Sequence, residues 1–459
     1  MRKLSVAKFG GSLLSGDGEK IPAILDSIKA LREQDDLGPV VVFSAPNGFT
    51  DKLIRIGESY THSRPLPMDY IFNTYERIAE AYVKGKYLKQ AIQELQEYRQ
   101  QMDEAVSLIN KRFRGTVKAK VLTNGGELPT SVLMEYIIKS SGLDSCHVPK
   151  EQWPILTDDN FENATPDYEQ SRNRINHLVQ SLEAGNVVVQ AGFLGITSDG
   201  LETVLGRGGS DLTAVFVSCL LKERYDVETV LFKEVSVQSA DPSIVKDQTT
   251  EHLESLSYNE AHKASKMGMK IVQGEAISMA KEFRQPIKVK PISRAEEYTM
   301  IQAESNGDQT VKCVTGKSGC AILTMDDQNS RSLEDALRIW ENRNDFLDLG
   351  TETLETGKRI RDFLFLDSEF LRKNEERLRG FDEDLIIEDG VGVVTLIGDG
   401  MKYSSGVASI AIGAIPEINI KRGIFAPHTS QIILVVDESN IGATVAAIHA
   451  KRPEMNKQY

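Results

Sequence analysis

Gly206-Arg207-Gly208-Gly209-Ser210-Asp211-Leu212-Thr213-Ala214 sets three glycines, one arginine and one aspartate directly ahead of the apolar run 214–217. This is the pattern of a loop entering a helix N-terminus. Glycines let backbone N–H groups approach an anion, and the helix dipole favours negative charge there. An arginine in such a loop can clamp a carboxylate with two parallel hydrogen bonds. A tight surface turn would carry the same glycines, so the reading turns on a second glycine element.

That element lies at the N-terminus. Residues 4–9 read as a short buried strand running into Gly10-Gly11-Ser12, with Lys8 just ahead of the glycine pair. The glycines expose N–H groups and Lys8 brings a mobile cation, which suits phosphate. Residues 21–31 show helical periodicity (Ile21, Ile24, Leu25, Ile28, Leu31), and 40–43 are a continuous apolar run. Strand, helix and strand predict a parallel unit. Its second strand ends in Ser44-Ala45-Pro46-Asn47-Gly48-Phe49-Thr50, at the carboxyl edge where open α/β sheets bind ligands.

Residues 68–113 carry an amphipathic stripe (Leu88, Ile92, Leu95, Met102, Val106, Ile109). It is too short and irregular for an independent coiled coil and is expected to pack on the α/β core. Val121-Leu122 reads as a strand end leading into Thr123-Asn124-Gly125-Gly126-Glu127. A lone glutamate after glycine is ordinarily solvated; convergence with the other loops makes Glu127 a site candidate. Residues 186–190 form a third buried strand opening into Ala191-Gly192-Phe193-Leu194-Gly195, and a hairpin at Ser198-Asp199-Gly200 returns the chain to 206–214. A fourth strand at 229–232, Asp241-Pro242, a helix at 257–269 and a last short strand at 286–289 complete one nucleotide-sized α/β domain, near residues 1–300.

At 459 residues the chain exceeds one ordinary core, so two or three domains are expected. Its 40% apolar and 26% charged residues fit a soluble globular protein. A net charge of −13 argues against a nucleic-acid partner held by a basic surface. Cys146, Cys219, Cys313 and Cys320 lack C-x-x-C spacing, so no zinc site or disulfide framework is expected and they are read as reduced. No signal peptide is read and no stretch reaches the roughly 18 apolar residues of a membrane span. The expected setting is the cytoplasm, with no membrane partner.

Lys8-Phe9-Gly10-Gly11-Ser12, residues 44–50, Gly126-Glu127, Gly192-Phe193-Leu194-Gly195, residues 206–214 and Ala240-Asp241-Pro242 stand in the order and approximate spacing of the aspartate kinases. The chain resembles that family, which belongs to the amino-acid kinase fold. The resemblance implies a carbamate kinase-like three-layer α/β sandwich over residues 1–300. It also implies transfer of the ATP γ-phosphoryl group to the β-carboxylate of L-aspartate, with Mg2+ offsetting the triphosphate charge. By the resemblance, Lys8 and Asp211 are catalytic, Asp211 orienting Lys8 or helping to hold the metal-nucleotide. Arg207 clamps the α-carboxylate, Glu127 takes the α-ammonium, and Thr50, Phe193 through its backbone and Ser210 complete the pocket. Gly10, Gly11 and Ser12 cradle phosphate beside Lys8, and Lys233, Asp241 and Lys270 fall on the nucleotide side. No residue is assigned as a metal ligand.

The tail reads as a repeat: strand 311–325, helix 332–340, strands 346–354 and 362–366, helix 368–378, strand 385–387; then strand 391–397, helix 405–415, strands 418–424 and 431–436, helix 440–450. This resembles the tandem ACT domains of aspartate kinases, here 310–388 and 389–455, each of ferredoxin-like βαββαβ type. Gly398, Gly400 and Ile418-Asn419-Ile420 are similar to the usual second unit. The resemblance implies a homodimer through ACT edge strands and feedback by an amino acid such as lysine or threonine. The acidic pair Asp326-Asp327 suits an ammonium group, in a loop lacking the glycines of a lysine pocket.

The nucleotide side departs from the family pattern at Phe232-Lys233, Gln238 and Ser243, and Gly268-Met269-Lys270-Ile271-Val272-Gln273-Gly274 keeps the lysine but loses His-Pro. Two further readings therefore stand beside aspartate kinase: another amino-acid kinase of glutamate type, and a catalytically weakened ACT sensor. Gly316-Lys317-Ser318 lacks the upstream glycine of a P-loop and reads as a turn. The seven histidines have no metal spacing, and residues 375–388 read as a solvated acidic face.

Overall fold

The computed structural model describes residues 1–206, 208–293, 296–305, 309–340, 346–426, 428 and 430–457. In chain order its first elements are β1 (Lys3–Phe9), α1 (Ile21–Gln34), β2 (Val40–Phe43), α2 (Phe49–Thr61), α3 (Asp69–Tyr82), α4 (Lys86–Ser107), α5 (Gly115–Gly125) and α6 (Glu127–Ser140). Next come β3 (Ser145–His147), α7 (Tyr168–Ser171), α8 (Asn176–Glu183), β4 (Val187–Ala191), β5 (Leu194–Ile196), β6 (Glu202–Val204), α9 (Gly209–Leu221) and β7 (Asp226–Lys233). Then follow β8 (Ser255–Ser257), α10 (Tyr258–Lys266), α11 (Gly274–Glu282), β9 (Ile287–Pro291), β10 (Thr299–Gln302), β11 (Cys313–Asp326), α12 (Asp327–Ile339), β12 (Phe346–Thr353) and β13 (Arg359–Phe365). The last are α13 (Ser368–Arg379), β14 (Ile386–Ile397), α14 (Val407–Gly413), β15 (Arg422–Ala426), β16 (Gln431–Asp437), α15 (Ile441–Ala450) and α16 (Arg452–Met455). The chain divides into two compact units: Met1–Val237, Glu254–Tyr258 and Val272–Ser305, and Gln238–Leu253, Asn259–Ile271 and Asn306–Tyr459.

The first unit is built on an eight-stranded sheet of order β3-β4-β2-β1-β7-β9-β10-β8, in which only the β9–β10 pairing is antiparallel. Val40–Phe43 and Val187–Ala191 are buried along their whole length, as parallel strands covered on both faces must be. Ala7, Phe9, Val41, Phe43, Val189, Val230 and Phe232 point into one core with the apolar stripes of α1 to α6. Alternation turns Lys8 to the opposite face, where its ion pair with Asp211 places α9, and α11 packs on α9. Helices, sheet and helices make three layers, as expected from the sequence. Phe9 stacks on Phe43 and Phe232 (centroids 5.4 and 4.8 Å apart), which ties the ends of β2, β1 and β7 together just before their loops.

Several local readings are corrected. Val121-Leu122 is not a strand end: it lies in α5, whose Ala119, Val121 and Leu122 are buried among α2 and α4, because an apolar pair carries no period of its own. The stripe at 68–113 is two helices, parted after Tyr82 by Val83 and by Gly85 at φ +60°. The sheet also gains β3, β8 and β10, short strands that the sequence reading passed over.

The second unit is a six-stranded antiparallel sheet of order β12-β13-β11-β14-β16-β15. Residues 385–387 and 391–397 do not form two separate strands; 386–397 run through as β14, with Gly390 at φ +73°. Both β11 and β14 serve two halves. Beyond the register shift between Lys317 and Cys320, the distal part of β11 pairs with β13 and with the start of β14. This half contains α12 and α13 over one core. Cys313–Lys317 pair instead with Val393–Ile397, which pair in turn with β16; α14 and α15 cover that half. Each half thus has β-α-β-β-α-β content, but the fourth strand of the second half lies upstream of the first. Gly316-Lys317-Ser318 sits within β11 rather than at a turn. Asp326 caps α12 and Asp327 is bound by Arg359 (3.1 Å) and Arg361 (2.9 Å). The acidic pair therefore serves the fold and is not left bare for an ammonium ligand.

Arg452, 2% exposed, donates from Nε to the carbonyls of Val311 and Lys312 (both 2.9 Å) and pairs through Nη1 with Glu251 (2.8 Å). Arg452→Ala should destabilise the second unit by about 2–4 kcal/mol, because buried acceptors and a carboxylate lose their partner. Urea denaturation checks this; Arg452→Lys should recover only part of the loss, since it cannot reproduce the planar fork.

Candidate active site

The parallel strands β1, β2, β4 and β7 end at one edge of the sheet, and their loops build the site. After β1, Gly10 enters a single 3₁₀ turn, Gly11–Leu14. The Gly11 carbonyl accepts from Asn47 N–H at 3.0 Å, and a Cβ on Gly11 would stand 2.2 Å from the Ala45 carbonyl oxygen. Only glycine lets the two loops approach so closely. A Cβ on Gly10 would lie 3.5 Å from Lys8 Nζ and 3.8 Å from Ser12 Oγ, so the turn and the ammonium share one small space.

Lys8 Nζ lies 2.7 Å from Asp211 Oδ1, and Lys233 Nζ lies 3.2 Å from Asp211 Oδ2, which also accepts the Gln273 N–H at 3.3 Å. Lys8 and Asp211 are both buried. Burial alone would raise the Asp211 pKa; the ammoniums of Lys233 and Lys8 instead hold it well below the usual carboxylate range. Burial lowers that of Lys8, Asp211 opposes the shift, and Lys233 adds to it. Asp211 is held in the first turn of α9, after Gly206 (φ +73°) and Gly208 (φ +78°) have turned the backbone through the left-handed region.

Glu127 opens α6, which starts where α5 stops, at Gly126 (φ −115°, ψ −100°). It is 5% exposed; burial pushes its carboxyl up to about 7, against the Ala45 N–H, its own N–H and Lys8, which all favour the ionised form. On the far side, Gly192 packs against Ser210, and a Cβ there would meet Ser210 Cβ at 2.5 Å. Phe193 takes φ +67°; its N–H donates to Thr213 Oγ1 (3.0 Å) and its carbonyl accepts from Leu205 N–H (2.9 Å). The Phe193 backbone is thus already bonded within the protein. Thr50 lies half-buried in the first turn of α2, after Gly48 at φ +78°.

The structure therefore brings Lys8, Gly10, Gly11, Ser12, Glu127, Phe193, Ser210, Asp211 and Lys233 to one sheet edge, with Thr50 in the helix that follows the loop touching Gly11. Arg207 lies outside the described residues. Asp241 and Lys270 belong to the second unit: Asp241 caps its own turn by accepting from Ser243 N–H and Oγ–H (2.8 and 2.7 Å), and Lys270 is exposed. Sequence reading missed Tyr75, whose hydroxyl bonds the α5–α6 joint, and Thr213, which fixes Phe193. It also missed Gln190. The pairings Gln190↔Val42 and Lys8↔Val42 set Gln190 in the row of Lys8. It is wholly buried and neither amide atom has a hydrogen-bond partner. A polar residue closing the Val187-Val188-Val189 run was the available signal.

The Glu127 shift has a consequence for stability. A carboxyl whose folded value lies near 7, above its unfolded value near 4.5, contributes stability that is full below 4.5 and lost as pH rises through 7. Relative to Glu127→Gln, the native protein should lose about 2 kcal/mol between pH 5 and pH 8, by urea denaturation at both values.

Comparison with known proteins extends this picture. The sequence matches the model of the amino acid kinase family over residues 3–291. It is 25% identical to an aspartokinase of Helicobacter pylori, over 97% of this chain and 98% of that protein. With an aspartokinase of Geobacillus stearothermophilus it shares 24% identity, over 97% and 96%. The fold is similar to that of E. coli aspartokinase III in complex with aspartate and ADP, with a TM-score of 0.78 at 19% identity, covering 98% of this chain and 99% of that one. The same enzyme in complex with lysine and aspartate superposes with a TM-score of 0.71 at 20% identity, over 98% and 99%. With the family model covering more than half of its length and the glycine-edge site in place, this chain belongs to the amino acid kinase family.

Proposed function

We propose that this chain is an aspartate kinase, transferring the ATP γ-phosphoryl group to the β-carboxylate of L-aspartate to give 4-phospho-L-aspartate, the first step towards lysine, threonine and methionine. The observation that carries this reading is the buried Lys8–Asp211 pair, flanked by the half-buried Lys233, at a glycine-lined edge that also holds Glu127, in a chain matching aspartokinases over nearly its full length.

A β-carboxylate oxygen attacks Pγ, the bond from Pγ to the β,γ-bridging oxygen breaks, and ADP leaves with that electron pair. The carboxylate is already a nucleophile and needs no general base, so catalysis is positioning and neutralisation of spreading charge. Lys8 faces the transferring group, beside the N–H groups of Gly10, Gly11 and Ser12. Both Asp211 oxygens are engaged by ammoniums, which favours Asp211 as the orienter of Lys8 and Lys233 over a metal ligand. Lys233 then brings a second cation to the phosphates. Glu127, neutral or half-ionised when alone, becomes ionised once an α-ammonium lies against it. Arg207 takes the α-carboxylate by the resemblance, and Thr50, Ser210 and Phe193 wall the substrate; Asp241 and Lys270 are assigned to the nucleotide on the same ground. Among the described residues no group of three His, Cys, Asp or Glu could hold a metal. Magnesium, bound with the nucleotide, would supply charge neutralisation at the triphosphate.

The division into a catalytic domain (1–300) and two ACT domains (310–388 and 389–455) belongs to the same proposal. So does a homodimer through the outer strands β12 and β15 of the six-stranded sheet, each with one paired edge among the described residues. An amino acid such as lysine or threonine would act there as effector. Among the described residues no helix is long and apolar enough to cross a membrane; the cytoplasmic setting expected from the sequence belongs to the same proposal.

Trapping the acyl phosphate with hydroxylamine tests the activity. Hydroxamate should form with ATP, magnesium and L-aspartate and not with L-glutamate; no product from either, with nucleotide still bound, would overturn the reading. Lys8→Ala should lower kcat by about a hundredfold or more, with little change in KM for aspartate. A variant that loses aspartate affinity at full kcat would contradict the assigned role.

A further inference from the structure

Tyr75, on α3, is wholly buried, and its ring packs edge-on against Phe49 (5.4 Å) and Phe72 (6.2 Å). Phe49 is the first residue of α2, next to Thr50. The phenol oxygen lies 2.7 Å from the Gly126 carbonyl oxygen, 3.1 Å from that of Gly125 and 3.1 Å from Thr130 Oγ1. Thr130 Oγ1 in turn donates to the Gly126 carbonyl at 2.8 Å. Gly126 ends α5 and begins α6, and its carbonyl also accepts the Thr130 N–H at 3.3 Å, so the two hydroxyls add side-chain bonds to a carbonyl that both helices share. The site of this capping is the joint at which α5 ends and α6 begins with Glu127. A Cβ on Gly126 would stand 2.6 Å from the Leu122 carbonyl oxygen, so the joint is already closed as tightly as glycine permits. Phenylalanine would fill the same apolar space without the cost of burying a hydroxyl.

We propose that Tyr75 is a positioning residue for substrate selection: its hydroxyl fixes the α5–α6 joint so that Glu127 is aimed into the site, and its ring fixes the start of α2 that carries Thr50. The proposal rests on the reading of Glu127 as the group that receives the substrate α-ammonium. Tyr75 itself touches no reacting atom.

The test is Tyr75→Phe in the full-length chain, alone and combined with Glu127→Gln, with kcat and both KM values measured. Loss of one buried hydrogen bond should raise KM for aspartate by about three- to tenfold, leaving kcat and KM for ATP within about twofold. In the Glu127→Gln background the same change should alter KM for aspartate by less than about twofold, because a residue acting through Glu127 has nothing left to act on. Equal losses toward both substrates, full additivity with Glu127→Gln, or an unchanged KM for aspartate would each overturn the proposal. If Tyr75→Phe does not fold, as read by thermal unfolding, Thr130→Ala removes the other hydroxyl from the Gly126 carbonyl and must give the same split between substrates. Wild-type protein that forms no hydroxamate from aspartate is a separate result: it removes the kinase reading, and this proposal with it. An active wild type with an unaffected variant removes this proposal alone.

Discussion

A buried carboxylate held between two ammoniums is the constraint on which the rest of the first unit depends. Taking Asp211 and Lys8 out of water costs several kcal/mol per ion, and their mutual attraction repays this only with good geometry and full hydrogen bonding. Asp211 meets the geometric part of that condition through its ion pairs with Lys8 (2.7 Å) and Lys233 (3.2 Å) and through the Gln273 N–H on Oδ2. Asp211 is fixed at the start of α9, a helix whose thirteen residues are all buried. Its apolar body, rather than its charge, supplies the stabilisation. A helix that is buried all round has no solvent face to relax toward, so the carboxylate at its head has little freedom to leave its partners.

The two faces of the sheet divide the chemistry. Cations and α9 lie on one face, where Lys8 turns away from the aromatic stack of Phe9, Phe43 and Phe232. Glu127 comes from the other helical layer, delivered over the edge by the α5–α6 joint. The basic cluster and the buried glutamate are therefore carried by different helical layers and meet at the carboxyl ends of the strands. The close contact of Gly11 with Ala45 joins the two sides, since Ala45 also donates its N–H to Glu127.

What the sequence made legible was backbone chemistry. Glycines that must expose N–H groups, and a lysine that must face them, leave the same marks wherever they occur, and Gly10-Gly11, Gly206 and residues 208–214 fell at a strand end and a helix start as expected. Val121-Leu122 was misread because two apolar residues are too few to show a period. Tyr75 was invisible because a tyrosine on the buried stripe of an amphipathic helix reads as packing; only the fold shows what its hydroxyl meets. Asp241 and Lys270 lie 8 and 37 residues after Lys233, in segments whose contacts belong to the second compact unit, which sequence order alone does not reveal. At Asp389-Gly390 the composition of a turn concealed a strand that continues through a register shift, where glycine accommodates the positive φ.

The sharing of β11 and β14 between two halves also governs the order in which the second unit can form. Pairing Cys313–Lys317 with Val393–Ile397 closes a loop of about 75 residues, a cost in chain entropy that is best met when the intervening half has already condensed. On a ribosome, the upstream strand emerges long before its partner and has to wait with an open edge. The kink after Lys317 and the charge at that position lie where an unpaired strand would otherwise recruit a neighbour. Nested strand order thus makes the inner half a folding template for the outer one.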